Sequence, residues 1–349
     1  MTAVITAPVL CTREDVQGAL DIKGTARAAA QVDGVLAAAT VATESQLNRR
    51  FTPWTGTRYF DWPTRQDGAG WVLWLEDSEV ISLSALTAGG VAIAPANYNL
   101  EPSRLGPPYD RIELNTGTAT AFSTGNTPQR NIAATGVFGY NLDTAPAGAL
   151  AEALDDTETA VDVTDASGMG VGDLLLCGTE RMLVTDRTWL TTGQTVQTPL
   201  TASAANTTVA VTTGSAYAPG EVLLLDSEQM LVTDVAGNNL AVKRAWNGSV
   251  LATHTGSTIY ASRTLTVVRG AAGTTAASHL TAAALTRHAV PPLVRALAIA
   301  ESLTLLLGQG SGYARPAGAG AAVRPQPGSI EDVRYQAFGA YGRIRIGAV

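Results

Sequence analysis

Cysteine is nearly missing from this chain: there are two in 349 residues. Cys11 and Cys177 lie far apart, and no Cys-x-x-Cys spacing exists, which argues against a zinc site or a redox motif. Charge is also scarce, at 15% of residues with a net charge of −7, so no basic excess announces nucleic-acid binding. Aromatics make up only 6%. The chain does not open on a basic segment followed by an apolar run and a cleavage site, so no signal peptide is expected, and free thiols fit a reducing cytoplasm at synthesis. The longest apolar stretch, around Leu293 to Leu307, is broken by Arg295, Glu301 and Thr304 and is not expected to span a membrane.

Catalytic constellations are missing too. There is no Gly-x-Ser-x-Gly elbow to anchor a hydrolase triad and no Gly-x-x-x-x-Gly-Lys-Ser/Thr phosphate loop. Gly308-Gln309-Gly310-Ser311-Gly312 follows a helix instead of opening one, so its amides do not point into a helix N-terminal field. The acidic group Glu152, Asp155, Asp156, Glu158, Asp162 and Asp165 lacks EF-hand periodicity and glycine and reads as a solvated edge. Arg49-Arg50 reads as a cationic helix C-terminus. No cofactor or metal is expected, and the chain reads as a non-enzyme.

What is abundant is Gly, Ala, Thr and Val, a composition suited to β-rich domains that bury their faces against neighbours. One motif occurs twice. Gly172-Asp173-Leu174-Leu175-Leu176 leads into Glu180-Arg181-Met182-Leu183-Val184-Thr185-Asp186, and 48 residues later Gly220-Glu221-Val222-Leu223-Leu224 leads into Glu228-Gln229-Met230-Leu231-Val232-Thr233-Asp234. The second copy continues into Leu240-Ala241-Val242-Lys243-Arg244, Gly248 and His254. The first finds its continuation only at Leu265-Thr266-Val267-Val268-Arg269, Gly273 and His279, so the second unit reads as nested inside the first. Duplicated Glu180, Glu228, His254 and His279 therefore read as structural residues, not as metal ligands or an acid/base pair.

The expected fold class is α+β: a small helical core, a β-domain, an inserted nested pair of small β-barrel or sandwich repeats, and an extended C-terminal arm. Residues 1–51 carry the first helices. Thr12-Arg13-Glu14-Asp15 predicts a capping-box start, a short helix ends near Lys23-Gly24, and a longer one with Val32, Val35, Leu36, Ala39, Thr43 and Leu47 on one stripe closes at Asn48-Arg49-Arg50-Phe51. Residues 52–148 read as the β-domain, with strands at Trp71–Leu75, Val80–Leu83, Arg111–Leu114 and Ile132–Tyr140 and a hairpin at Gly89-Gly90. The outer repeat takes 149–197 with 264–287 and the inner repeat 198–263. Pro291-Pro292 begins a core helix within 288–309. Residues 310–349 are a Gly/Ala/Pro-rich linker and an arm. Residues 308–349 carry +3 (five arginines less Glu331 and Asp332), which leaves −10 for the rest. A basic, aromatic arm on an acidic body suggests a segment that orders on a partner.

This order of elements, with Arg50-Phe51-Thr52-Pro53 after an Ala-rich helix and Val137-Phe138-Gly139-Tyr140 closing a β-insertion, resembles the head-to-tail connector (head-completion adaptor) proteins of long-tailed bacteriophages. The resemblance covers about 10–53 and 288–309. It implies a virion protein at the neck, twelve copies forming a ring beneath the portal protein and continuing the DNA channel toward tail-completion proteins, with no membrane involved. It also implies that the arm docks on the portal or a neighbouring subunit, and Arg334, Tyr335, Phe338, Tyr341, Arg343 and Arg345 are the residues of choice, because Arg and Tyr dominate interface hot spots. Arg343-Ile344-Arg345-Ile346 could add a strand to a partner sheet. The alternative is a tail-fibre or surface protein whose β-repeats bind glycans; it calls for aromatic stacking platforms on an exposed repeat face, in which the repeats are poor, the candidates being Trp189, Tyr217, Trp246 and Tyr260, none of which recurs at equivalent positions. A cell-wall glycan hydrolase ranks third, since it needs paired carboxylates at a cleft.

Overall fold

The computed structural model describes residues 5–20, 26–63, 70–123, 125, 127–310 and 330–343. The architecture is α+β, with four α-helices and antiparallel sheets among the described residues. The chain divides into two compact units, residues 1–40, 144–271 and 275–326, and residues 41–143, 272–274 and 327–349.

Helix α1 (Arg13–Leu20) starts as its capping box predicts: Asp15 N donates to Thr12 Oγ1 at 3.2 Å and Thr12 N donates to Asp15 Oδ2 at 2.9 Å. Helix α2 (Ala26–Leu47) buries Val32, Val35, Leu36, Ala39 and Leu47 along the predicted stripe. The expected break at Lys23-Gly24 lies outside the described residues.

Two small antiparallel sheets lie within residues 41–143. Strands β1 (Trp54–Phe60), β2 (Val72–Trp74), β3 (Val80–Ala88), β4 (Val91–Ala92), β5 (Tyr98–Glu101), β6 (Arg111–Leu114) and β7 (Ile132–Phe138) assemble as β1-β7-β3-β4 and β2-β6-β5. A shared core takes Leu86, Ile132 and Phe138 from the first sheet and Leu73, Ile112 and Leu114 from the second. The β3–β4 hairpin turns through Gly89 and Gly90 at φ 58° and 80°, the left-handed pair that a two-residue hairpin requires. Gly136 is demanded by close approach: a Cβ there would lie 2.0 Å from the Ser82 carbonyl on β3.

The other unit is built on one ten-stranded sheet: β8 (Thr144–Ala149), β9 (Ala160–Asp162), β10 (Leu174–Cys177), β11 (Glu180–Thr195), β12 (Thr208–Ala210), β13 (Val222–Leu225), β14 (Glu228–Ala236), β15 (Asn239–Lys243), β16 (Thr258–Val268) and β17 (Ala284–His288). The order is β12-β15-β14-β13-β16-β11-β10-β17-β8, with β9 also paired to β16. The expected small barrels are not closed. Instead β11 and β16 each run through both motif copies and fuse them into one sheet, and the Leu150–Val163 bridge brings the end of β8 to β9 without extending into a ladder. Residues 144–148, placed with the β-domain by the sequence reading, pair with β17 because Thr144, Ala145 and Pro146 register on His288, Arg287 and Thr286.

Helix α3 (Pro292–Gly310) packs on α1, and Arg295 pairs with Asp15 at 2.7 Å. Its Pro292–Gln309 stretch is long and apolar enough to cross a membrane, yet Val294, Leu297, Ala298 and Ser302 are buried in the protein. Gly308 and Gly310 belong to its last turn. Helix α4 (Ile330–Tyr341) replaces the expected extended arm. Ile330, Val333, Ala337 and Tyr341 recur at helical spacing, Ala337 is fully buried, and Glu331 and Asp332 complement the dipole of its first turn. The linker over 311–329, and the strand expected through Ile344-Arg345-Ile346, lie outside the described residues.

Gly136→Ala is expected to destabilise the 41–143 unit by about 2 kcal/mol, since the new methyl displaces backbone and not a flexible side chain. Val91→Ala, at a 65% exposed position, should stay within about 0.5 kcal/mol of the parent. Urea denaturation of both variants checks this; an unmoved midpoint for Gly136→Ala would show that β3 yields at no cost.

Candidate interaction site

The duplicated residues build the same structure twice. Glu228 is fully buried at the start of β14. Its carboxylate accepts from Arg244 Nε and Nη2, both at 2.7 Å, and from the amides of Ala245 and Ala252, both at 3.0 Å. His254 Nε2 lies 3.0 Å away. Arg244 Nη1 then donates to the Thr201 and Asn206 carbonyls. At the start of β11, Glu180 accepts from Arg269 Nε and Nη2 at 2.7 and 2.8 Å and from the amides of Gly270 and Ala277, with His279 Nε2 at 2.9 Å. Arg269 Nη1 donates to the Asp155 and Glu158 carbonyls. The copies differ behind the histidine. His254 Nδ1 meets Asp226 at 2.8 Å, and Gly178 is the matching residue of the other motif.

This geometry assigns the two glutamates to structure. Burial acts to raise Glu228, but Arg244, His254 and the two amides outweigh it and hold the carboxyl down at about 2; Glu180 is held at about 2 by the same set of partners. A carboxylate held this low is a poor proton donor near neutrality, so the pair does not supply the acid and base of a glycosidase. The acidic group at 152–165 is likewise partly engaged by its own backbone: Asp155 accepts from the amides of Thr157 and Glu158, and Asp165 from that of Ser167.

The predicted partner-binding residues divide into two sets. Tyr341 and Arg343 fold back onto their own unit. Tyr341 packs edge-on against Phe51 at 6.2 Å and Tyr140 at 5.7 Å, and Phe51 lies 5.3 Å from Tyr140. Arg343 N donates to the Leu47 carbonyl, and Asn48 Nδ2 donates to the Arg343 carbonyl, so the chain after α4 caps the C-terminus of α2. Arg343 Nη1 donates to the Glu76 carbonyl and lies 3.8 Å from Glu79, which also pairs with Arg49 at 2.9 Å. Burial pushes the Glu79 carboxyl up although Arg49 and Arg343 pull it down. Arg49 in turn covers the Tyr140 ring at 5.1 Å, and Arg50 pairs with Glu44 at 2.7 Å. The other set faces outward: Tyr335 is 82% exposed, Phe338 38%, and Arg334 forms an i,i+3 pair with Glu331. Arg345 lies outside the described residues.

Sequence reasoning missed the roles of Glu79, a single acid outside any motif, and of Asp226, a turn residue of the second copy. Asp226 could have been found by asking why a residue other than glycine replaces Gly178 in the second copy. Comparison of the chain with protein-family models, with curated proteins and with solved structures finds no match.

Because Glu180 and Glu228 titrate lower in the folded chain than their ordinary 4.5, the stability they contribute is complete above that value and is lost as pH falls toward 2. Glu228→Gln should lower stability at neutral pH by about 3 kcal/mol, because it leaves Arg244 buried without its counter-ion, and should flatten the acid limb of a stability-against-pH curve. Denaturant titrations across that range check both parts.

Proposed function

We propose that this chain is a structural, non-enzymatic virion protein of the head-to-tail connector kind. It forms a ring beneath a portal protein, presents docking surface to tail components and leaves a channel for DNA. The observation that carries the reading is the junction at the end of α2. Phe51 of Arg50-Phe51-Thr52-Pro53 and Tyr140 of Val137-Phe138-Gly139-Tyr140, two of the stretches that carry the resemblance, meet there, and α4 is tied to them through Tyr341 and Arg343. A helix anchored in this way, with Tyr335 and Phe338 turned outward, suits a subunit that contacts a neighbour through a fixed aromatic patch. Heterologous contacts repeated about an axis close a ring. A net charge of −7 suits a conduit, since a lumen without excess cations does not hold a passing phosphate backbone.

Within this reading, residues 144–288 are an inserted pair of nested repeats, one unit having been copied into the β11–β16 loop of the other. The two Glu–Arg–His networks, the matched β10–β11 and β13–β14 hairpins, and the matched bridges Leu154–His279 and Leu200–His254 support it.

Electron microscopy of the purified chain with its portal protein tests the assignment: rings seated under the portal are expected, and a monomer that ignores the portal would sink it. Tyr335→Ala with Phe338→Ala should keep the thermal melt while weakening portal binding at least about tenfold, the equivalent of about 1.4 kcal/mol. For the nested repeat, replacing residues 189–263 by an Asn-Gly turn joins Thr188 to Thr264, which already pair. The shortened chain should unfold cooperatively, and loss of folding would count against nesting.

A further inference from the structure

The ten-stranded sheet carries a second feature that the docking reading does not use. A cleft of about 770 Å³ opens over one face of it, with Trp189 and Trp246 in its lining. The floor is a cross-strand row. Leu223 of β13 registers on Ala261 of β16, which sets Ser262 next to Val222, Val222 registers on Leu231 of β14, and Leu231 on Lys243 of β15. Trp189 stands on β11 at the bulge between Thr188 and Leu190, at one end of the row, and Trp246 follows β15 at the other. Four steps between strands span roughly 19 Å. The floor is apolar and half-buried at Val222 and Leu231, with half-buried indoles at the ends.

The Trp246 turn shows how the two copies have diverged. In one network the carboxylate accepts from Ala245 N and in the other from Gly270 N, and the two turns share their left-handed positions: Ala245, Asn247 and Gly248 at φ 52°, 53° and 75°, Gly270, Ala272 and Gly273 at φ 59°, 53° and 79°. The network needs the turn but not its side chains. One copy carries Ala271-Ala272 there, and the other carries Trp246-Asn247. Asn247 is braced on Gln229 at 2.8 Å, Ser249 holds the Trp246 carbonyl, and Lys243 lies 4.7 Å over the indole. An aromatic residue is thus held in a fixed turn, with polar amide groups beside it.

We propose that this cleft binds a neutral oligosaccharide. The apolar CH face of a pyranose matches an indole ring, and its hydroxyls match the Asn247 and Gln229 amides at the rim. The opposite wall favours a neutral ligand over phosphate, since three of its four guanidiniums are held by the protein, Arg13 by Asp33 at 2.6 Å, Arg295 by Asp15 at 2.7 Å, and Arg187 by Ser262 Oγ at 2.8 Å and the Met169 carbonyl at 2.6 Å, and the fourth, Arg287, faces Asp173 at 4.0 Å. An added peptide strand is disfavoured as well, because β16, β13, β14 and β15 are hydrogen-bonded on both sides. The inference does not rest on the connector reading; a sugar site and a portal-binding surface stand or fall separately.

The full chain is titrated with maltohexaose, cellohexaose and chitohexaose, followed by calorimetry and tryptophan fluorescence. At least one is expected to bind saturably with a fluorescence change. Trp246→Ala and Trp189→Ala are each expected to weaken that binding at least about tenfold, as loss of a central aromatic anchor does, and Trp246→Phe to retain most of it. No binding by any of the three sugars at millimolar concentration overturns the proposal. So does binding that survives both alanine variants, or a preference for a thymidine oligonucleotide or a proline-rich peptide over the sugars.

Discussion

A glutamate with no solvent exposure, gripped by an arginine through two parallel hydrogen bonds, sets the conditions for the rest of the ten-stranded sheet. Taking such a pair out of water costs several kcal/mol per ion, and only near-complete satisfaction of donors and acceptors offsets it. Glu228 therefore recruits the amides of Ala245 and Ala252 besides Arg244, and Arg244 recruits the carbonyls of Thr201, Asn206 and Ala252. These partners sit in turns with little regular structure of their own. The ion pair is what fixes the paths of those turns, and it does so at both places where the motif occurs.

Much of this was legible along the chain. The Thr12 cap, the buried stripe of α2, the proline start of α3, the Gly89-Gly90 hairpin and the strand Arg111–Leu114 all rest on local chemistry, which a sequence displays directly. The repeat showed where the duplicated residues are. Its arginines come 16 residues after the glutamate in one copy and 89 in the other, so only the shared motif, not the spacing, links them.

What was hidden is non-local. Strand β8, Thr-Ala-Pro-Ala-Gly-Ala, has no apolar alternation, and its place is decided by β17 more than a hundred residues later. Helix α4 is short and contains Gly339, and the alternating Arg-Ile pairs after it suggested extension; its helical face becomes evident once Ala337 is seen to be buried and Tyr341 to pack on Phe51. That packing also narrows the proposed interface. A tail read as six equivalent contact residues contains two that hold their own unit together. Trp189 and Trp246 occupy non-matching positions of the repeat, so the sequence does not relate them; four strand pairs run between them, and both line one cleft.

The way β11 and β16 pass through both networks also bears on how the chain is made. Every strand needed for the Glu228 network lies between Glu180 and Val268, whereas the Glu180 network waits for Arg269, Ala277 and His279, and the ladder beside β10 for β17. During synthesis from the amino terminus the inner half therefore has its full set of partners first. Once folded, it holds Thr188 against Thr264 and turns a long loop closure into a short one. The segment between Thr188 and Thr264 then acts for the surrounding strands as a covalently attached template, lowering the entropic barrier to pairing the ends that flank it.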